Sequence, residues 1–147
     1  INGHGGNTDS ARKAMTRLHQ ETGAHFMIVD WWTVYFEAVK DVYGAKAQQS
    51  GHGDMEEAAL VMAYNPELVD REMYEKLGKD NVGNVRTEAG VLLLPAWSTT
   101  MYPEKGAGYL DFDVAKAKQY AAKKADYIAS TFLEAVRRWD KMESWKK

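Results

Sequence analysis

The sequence predicts an α/β layered domain in which helices cover a mostly parallel sheet. Helix-like and strand-like stretches alternate along the chain. The short apolar run 25–30 has the length and continuity of a buried parallel strand, and 91–94 reads as a second strand. The third observation is a long amphipathic stretch before the C-terminus, which has the pattern of a helix packed along one side.

The elements follow in order from local signals. Asn2-Gly3-His4-Gly5-Gly6-Asn7 is a glycine-rich turn of the kind that normally follows a strand, and Ile1 is all that represents such a strand. The expectation is therefore that an N-terminal part of the domain is absent from this chain. Thr8 or Asp9 is the expected N-cap of a first helix carrying Ala11, Ala14, Met15 and Leu18 on one face and ending at Gly23. The run 25–30, HFMIVD, is the first buried strand, with Trp31 and Trp32 at its C-terminal end. A second helix is expected from Thr33 to Val42, closing at Gly44, and a polar loop at 46–53 contains His52. Asp54 can cap a third helix, with Met55, Ala58, Ala59 and Met62 in helical repeat and a stop before Pro66. Glu67 to Leu77 gives a fourth, ended by Gly78. Val91 to Leu94 is a second strand, followed by a long loop through Gly108. The closing helix repeats Val114, Ala117, Ala121, Ala125, Ile128, Phe132 and Val136 at intervals of three or four.

Bulk properties narrow the function classes. A chain of 147 residues with 45% apolar composition can bury a working core, so one domain spanning 1–147 is expected. With 19 basic and 21 acidic residues and net charge −2, no footprint for nucleic acid or an anionic membrane stands out. The lack of cysteine excludes disulfides and thiolate metal sites, so any metal must use His and carboxylate. The run 91–97 is too short to cross a bilayer and no signal-type segment opens the chain, so a soluble, cytoplasmic protein is expected.

Open sheets of this class place their sites at the C-terminal ends of strands. His4, the Trp31-Trp32 pair, and His52 with Glu57 lie at such ends or in adjoining loops. Each has an ordinary reading as well. His4 can be an exposed residue of a tight turn, and His52 a solvated loop residue. Glu57 can be a helix-start carboxylate favoured by the macrodipole, a reading that suits Glu56 better still. His19 and His25 are read as structural, and tryptophans at a strand end are usually core or interface. The functional reading is that flanking glycines remove bulk around the His4 imidazole, a common ligand for a borderline metal.

Three segments together resemble the creatininase family. Asn2-Gly3-His4-Gly5-Gly6-Asn7 is similar to its NGHGGN segment, in which the His is a metal ligand. His52-Gly53-Asp54-Met55-Glu56-Glu57 resembles its HAGxxE stretch, and the LVMAYNPELV that follows matches its apolar helix. Glu104-Lys105-Gly106 resembles its late EKG turn, which also precedes a long closing helix. Departures accompany the matches. Gly6 stands where creatinine-hydrolysing members have a metal-binding Glu, Ala58-Ala59 replaces a usual Thr-Ser, and Gln48 replaces a substrate-covering Trp. Creatinine is thus a poor guess for the substrate.

The resemblance implies a layered α/β/α creatininase-like fold and metal-dependent hydrolysis of an amide C–N bond. It implies a divalent metal, zinc first and manganese or iron otherwise, as one or two ions with His4 as a ligand. His52 and Glu57 would be the catalytic pair, His52 moving a proton and Glu57 orienting it or assisting the water. Trp32 and the turn Gly5, Gly6 and Asn7 would contact substrate. The family's N-terminal ExHxPxxPxGxD-like ligand pattern does not occur here, so the expected partners are a complementary N-terminal chain, a small-molecule amide and further copies in a homo-oligomer. The competing reading is a non-catalytic subunit kept for assembly, to which Gly6 and Ala58-Ala59 would belong as an eroded site.

Overall fold

The computed structural model describes residues 1–35, 37–47, 53–77 and 110–142. The strand expected at Val91–Leu94, the loop through Gly108, and His52 lie outside the described residues, as do Gln48, Gly78 and Glu104-Lys105-Gly106. The chain divides into two compact units. One comprises Ile1–Phe36 with Lys123–Lys147, and the other Glu37–Ala122.

The first unit opens with a 3-10 turn, Gly5–Asn7, that leads into α1, Thr8–Thr22. The cap position of α1 is Asn7, not Thr8 or Asp9. Thr8 is the first residue of the helix, and its hydroxyl donates to Asp30 Oδ1 at 3.2 Å. As expected, α1 ends at Gly23, whose φ of 71° is the left-handed conformation that a helix C-terminus commonly adopts.

The segment 25–30 forms no ladder among the described residues. Its one pairing is a parallel bridge between Asn2 and Asp30. The Asn2 N–H donates to Val29 O at 2.7 Å, and the Trp31 N–H to Asn2 O at 3.4 Å. The expected strand is thus reduced to its last residues. In the parallel register of this bridge, Ile1 falls opposite Val29.

The chain then turns, and the helix expected from Thr33 begins instead at Ala38 (α2, Ala38–Tyr43). Before it, Thr33 N–H and hydroxyl both donate to Asp30 O, at 3.0 and 2.9 Å, and Tyr35 has φ 51°. A left-handed non-glycine residue interrupts a right-handed helix and costs free energy that the surroundings must offset. Lys124 supplies the offset. It is only 2% exposed, and its ammonium donates to Val34 O at 2.5 Å and Tyr35 O at 3.3 Å while lying 5.7 Å from the centre of the Trp31 ring. The Tyr35 ring also lies 4.9 Å from that of Tyr127.

Lys124 belongs to the closing helix α5, Val114–Met142, which starts at the first residue of the predicted repeat, runs past its last, Val136, and contributes to both units. Its buried face is Ala117, Tyr120, Ala121, Lys124 and Ile128, whereas Ala125 and Val136 are exposed. The predicted stripe is therefore rotated to take in Tyr120 and a lysine. Four methylenes let Lys124 cross apolar surroundings before its charge reaches the carbonyls. Lys124→Met keeps the stem and removes the donor, leaving two carbonyls of a strained turn without it. An unfolding free energy lower by about 2 to 3 kcal/mol is expected, with a shifted Trp emission, in urea titrations followed by fluorescence.

The second unit packs α2, α3 (Met55–Tyr64), α4 (Arg71–Leu77) and the start of α5. Ala38, Val39, Met55, Ala59, Met62, Ala117 and Tyr120 form the most buried part of its core. Asp54 caps α3 as predicted, its carboxylate accepting from Glu56 N–H at 3.0 Å and Glu57 N–H at 3.3 Å. The single helix expected over Glu67–Leu77 is divided into a 3-10 turn, Pro66–Leu68, and α4, because the Asp70 carboxylate caps a new start by accepting from Met73 N–H at 2.8 Å.

Glu56 lies in the first turn of α3, as read, but is buried, and it accepts from the Tyr120 hydroxyl at 3.3 Å. Burial, followed by the neighbouring Glu56 carboxylate, raises the Tyr120 phenol well above the ordinary tyrosine range. Because the folded-state value is the higher one, this stabilisation is complete below about pH 10, where a free tyrosine ionises, and fades as pH rises beyond it. Tyr120→Phe is expected to cost about 1 to 3 kcal/mol at pH 8, with the gap to wild type narrowing above pH ~10 in denaturant titrations.

Candidate functional site

In the first unit the His4 turn, the Asp30 carboxylate and the Trp31-Trp32 pair come together. Asn2 is the hub. Its side-chain Oδ1 accepts from His4 N–H at 3.2 Å and Asn7 Nδ2 at 3.3 Å, and its Nδ2 donates to Asp30 Oδ1 at 2.7 Å and Thr8 Oγ1 at 3.0 Å. At 8% exposure it is nearly enclosed. His4, Gly5, Gly6 and Asn7 are exposed above it.

The His4 imidazole folds back over its own turn, where Nδ1 accepts from Gly6 N–H at 3.1 Å. A Cβ at residue 6 would lie 3.1 Å from that Nδ1 and 3.3 Å from Cε1, so the glycine makes room for the ring. Positive φ plays no part: the positive-φ glycines among the described residues are Gly23, Gly44 and Gly53. Trp32 is half-buried, and a Cβ at Gly5 would lie 3.7 Å from its indole, so this ring borders the turn. Trp31 meets Trp32 edge-on with ring centres 6.3 Å apart, and its indole N–H donates to Gly3 O at 3.3 Å.

With Nδ1 accepting, the neutral ring carries its proton on Nε2. Ligation of a metal through Nδ1 would use the lone pair that holds Gly6, and ligation through Nε2 would move the proton to Nδ1. Either way His4 gives up its bond to Gly6. Of the other two turn residues expected to face substrate, Asn7 donates its N–H to His4 O at 3.1 Å.

Among the described residues no three His, Cys, Asp or Glu side chains gather where they could hold a metal ion. His4 fits one ligand position of a divalent centre, whereas such centres take three or four protein ligands. His19 and His25 have other work: His19 Nδ1 lies 2.7 Å from Ala24 O, and the His25 ring packs 5.3 Å from that of Trp139.

In the second unit, Glu57 is half-buried and its Oε2 accepts from Gly53 N–H at 2.6 Å. That N–H belongs to the peptide group immediately following His52. Gly53 has φ 67°, a conformation in which a side chain would be strained. Ala58 and Ala59 are buried. Their small size is accounted for by packing.

Compared with known families, residues 1–138 match the family model described as Creatininase: Creatinine amidohydrolase. The chain belongs to the creatininase family. Neither curated proteins nor solved structures give a match. The match runs through both units and so covers the positions of the His4 turn, the Trp pair, Glu57 and most of α5. Creatininase-family domains are hydrolases acting on carbon–nitrogen bonds and generally depend on divalent metal. Among the described residues no helix is long and apolar enough to cross a membrane.

Sequence reasoning passed over Asn2, Asp30 and Lys124. Asn2 stood inside the turn motif as a mere turn residue, and Asp30 as the polar end of a strand. A carboxylate and an amide at the two ends of paired segments were the available signal.

Proposed function

We propose that this chain is one part of a metal-dependent amidohydrolase that hydrolyses the C–N bond of a small amide, cyclic, formamide-like or peptide-like. Its metal site takes His4 from this chain and its remaining ligands from a complementary N-terminal segment, the whole forming one catalytic domain and then a homo-oligomer. The observation that carries this reading is the His4 turn itself: an exposed imidazole on a turn braced from beneath by a buried hydrogen-bonded amide and bordered by an indole.

A bound divalent ion, zinc or else manganese or iron, supplies a water of lowered pKa and polarises the amide carbonyl. Trp32 packs against the substrate and excludes solvent. When His4 serves as a ligand it releases Gly6 N–H, which then donates to the oxygen that gains negative charge as water adds to the carbonyl carbon. His52 carries the proton from the attacking water to the departing nitrogen as the C–N bond breaks, a role suited to imidazole near neutrality. Glu57, which accepts from Gly53 N–H, orients His52 or assists the water.

The parallel bridge between Asn2 and Asp30, with its backbone bonds to Val29 and Trp31, is the piece of sheet that such a complementary segment would extend. The 147 residues produced alone are expected to aggregate or to lack a cooperative melt, and co-production with that segment to give a soluble, metal-binding oligomer. Light scattering and circular dichroism check this. A soluble monomer that melts cooperatively from the isolated chain contradicts the two-piece reading.

A further inference from the structure

We propose that Asn2 and Asp30 are the positioning residues of His4: their paired amide and carboxylate fix the backbone from which the imidazole projects. The proposal rests on the reading of His4 as a metal ligand. It begins with the direction of one hydrogen bond. A carboxylate only accepts, so Asp30 Oδ1, at 2.7 Å, fixes the Nδ2 end of the Asn2 amide toward itself. The opposite end, Oδ1, must then face the His4 turn, where it accepts from His4 N–H at 3.2 Å and Asn7 Nδ2 at 3.3 Å.

Thr8 strengthens the arrangement. Its hydroxyl donates to the same Asp30 oxygen at 3.2 Å and accepts from Asn2 Nδ2 at 3.0 Å, which joins the first residue of α1 to the pair. The Asn2 backbone is pinned as well, by Val29 O and Trp31 N–H. His4 is therefore held on both sides by residues whose orientation derives from a single carboxylate. Groups that orient a metal ligand without touching the metal typically change affinity by about 10- to 100-fold when lost.

The pair can be reversed to test it. Asn2→Asp sets a carboxylate against the Asp30 carboxylate and removes both Nδ2 donations. Combining Asn2→Asp with Asp30→Asn restores an amide donating to a carboxylate across the same gap, now from position 30. The carboxylate at position 2 keeps an oxygen for His4 N–H.

The measurement is Co²⁺ affinity, followed by visible ligand-field absorption, in this chain assembled with its complementary N-terminal segment. Circular dichroism reports folding in parallel. Asn2→Asp is expected to weaken Co²⁺ binding about 10- to 100-fold and the double substitution to recover most of it, while His4→Ala abolishes it. If His4→Ala abolishes Co²⁺ binding but folded Asn2→Asp binds it as wild type does, the positioning role is overturned and the ligand reading stands. If His4→Ala keeps Co²⁺, the ligand reading falls and the proposal with it. Should Asn2→Asp fail to fold, the double substitution decides: wild-type affinity supports the proposal, and affinity as poor as that of His4→Ala overturns it.

Discussion

His4→Ala is expected to strip the metal from the assembled protein while leaving the fold in place. The imidazole is exposed, and its one described internal bond, to Gly6 N–H, closes a single turn at the surface. Losing that bond costs about 1 kcal/mol or less. By contrast, a centre of three or four protein ligands that loses one falls below the number that holds a catalytic divalent ion. Metal content should drop from stoichiometric to near zero in elemental analysis, with an unchanged circular dichroism spectrum. Full metal occupancy in His4→Ala would mean that the turn presents its imidazole for another purpose.

The second large effect is expected at His52. His52→Ala should lower turnover by roughly 10²-fold or more and leave metal content and folding intact, the range expected when general acid–base help is lost. Glu57 separates two explanations of its own role. Glu57→Gln keeps an acceptor for Gly53 N–H and removes the charge, whereas Glu57→Ala removes both. If Glu57 acts by holding the peptide after His52, Glu57→Ala lowers turnover much more than Glu57→Gln. A loss of metal in Glu57→Gln would instead make Glu57 a ligand. Steady-state kinetics with metal analysis on the same samples distinguishes these cases.

How much of this was legible in the sequence depends on the range of the interaction involved. The ends of α1 and α2, the Asp54 cap and the start of α5 depend on neighbouring residues, and local signals located them. The start of α2 was not legible, because Tyr35 is held in a left-handed conformation by a lysine 89 residues away. The rotation of the buried face of α5 has the same origin. Lys124 looks polar in sequence and is buried because two distant carbonyls receive its charge.

The site was legible in part. Motif spacing located the His4 turn, and the structure brings Trp32 beside it. That the glycines serve ring clearance, and that Asn2 and Asp30 brace the turn, required coordinates. These depend on the pairing of residues 28 positions apart, which no local pattern encodes. Glu56 and Glu57 illustrate the same limit: adjacent in sequence, one faces the core toward Tyr120 and the other holds Gly53, a difference set by the face of α3 that packs.

The central claim is that this chain gives His4 to a divalent centre that hydrolyses an amide. Its most direct test is to remove and restore the metal in the co-produced assembly while following C–N cleavage across cyclic amides, formamides and short peptides. The account predicts at least one equivalent of divalent metal per chain in the wild-type assembly, loss of cleavage when a chelator removes it, and recovery on adding back zinc, manganese or iron. Undiminished cleavage by a metal-free assembly would contradict it.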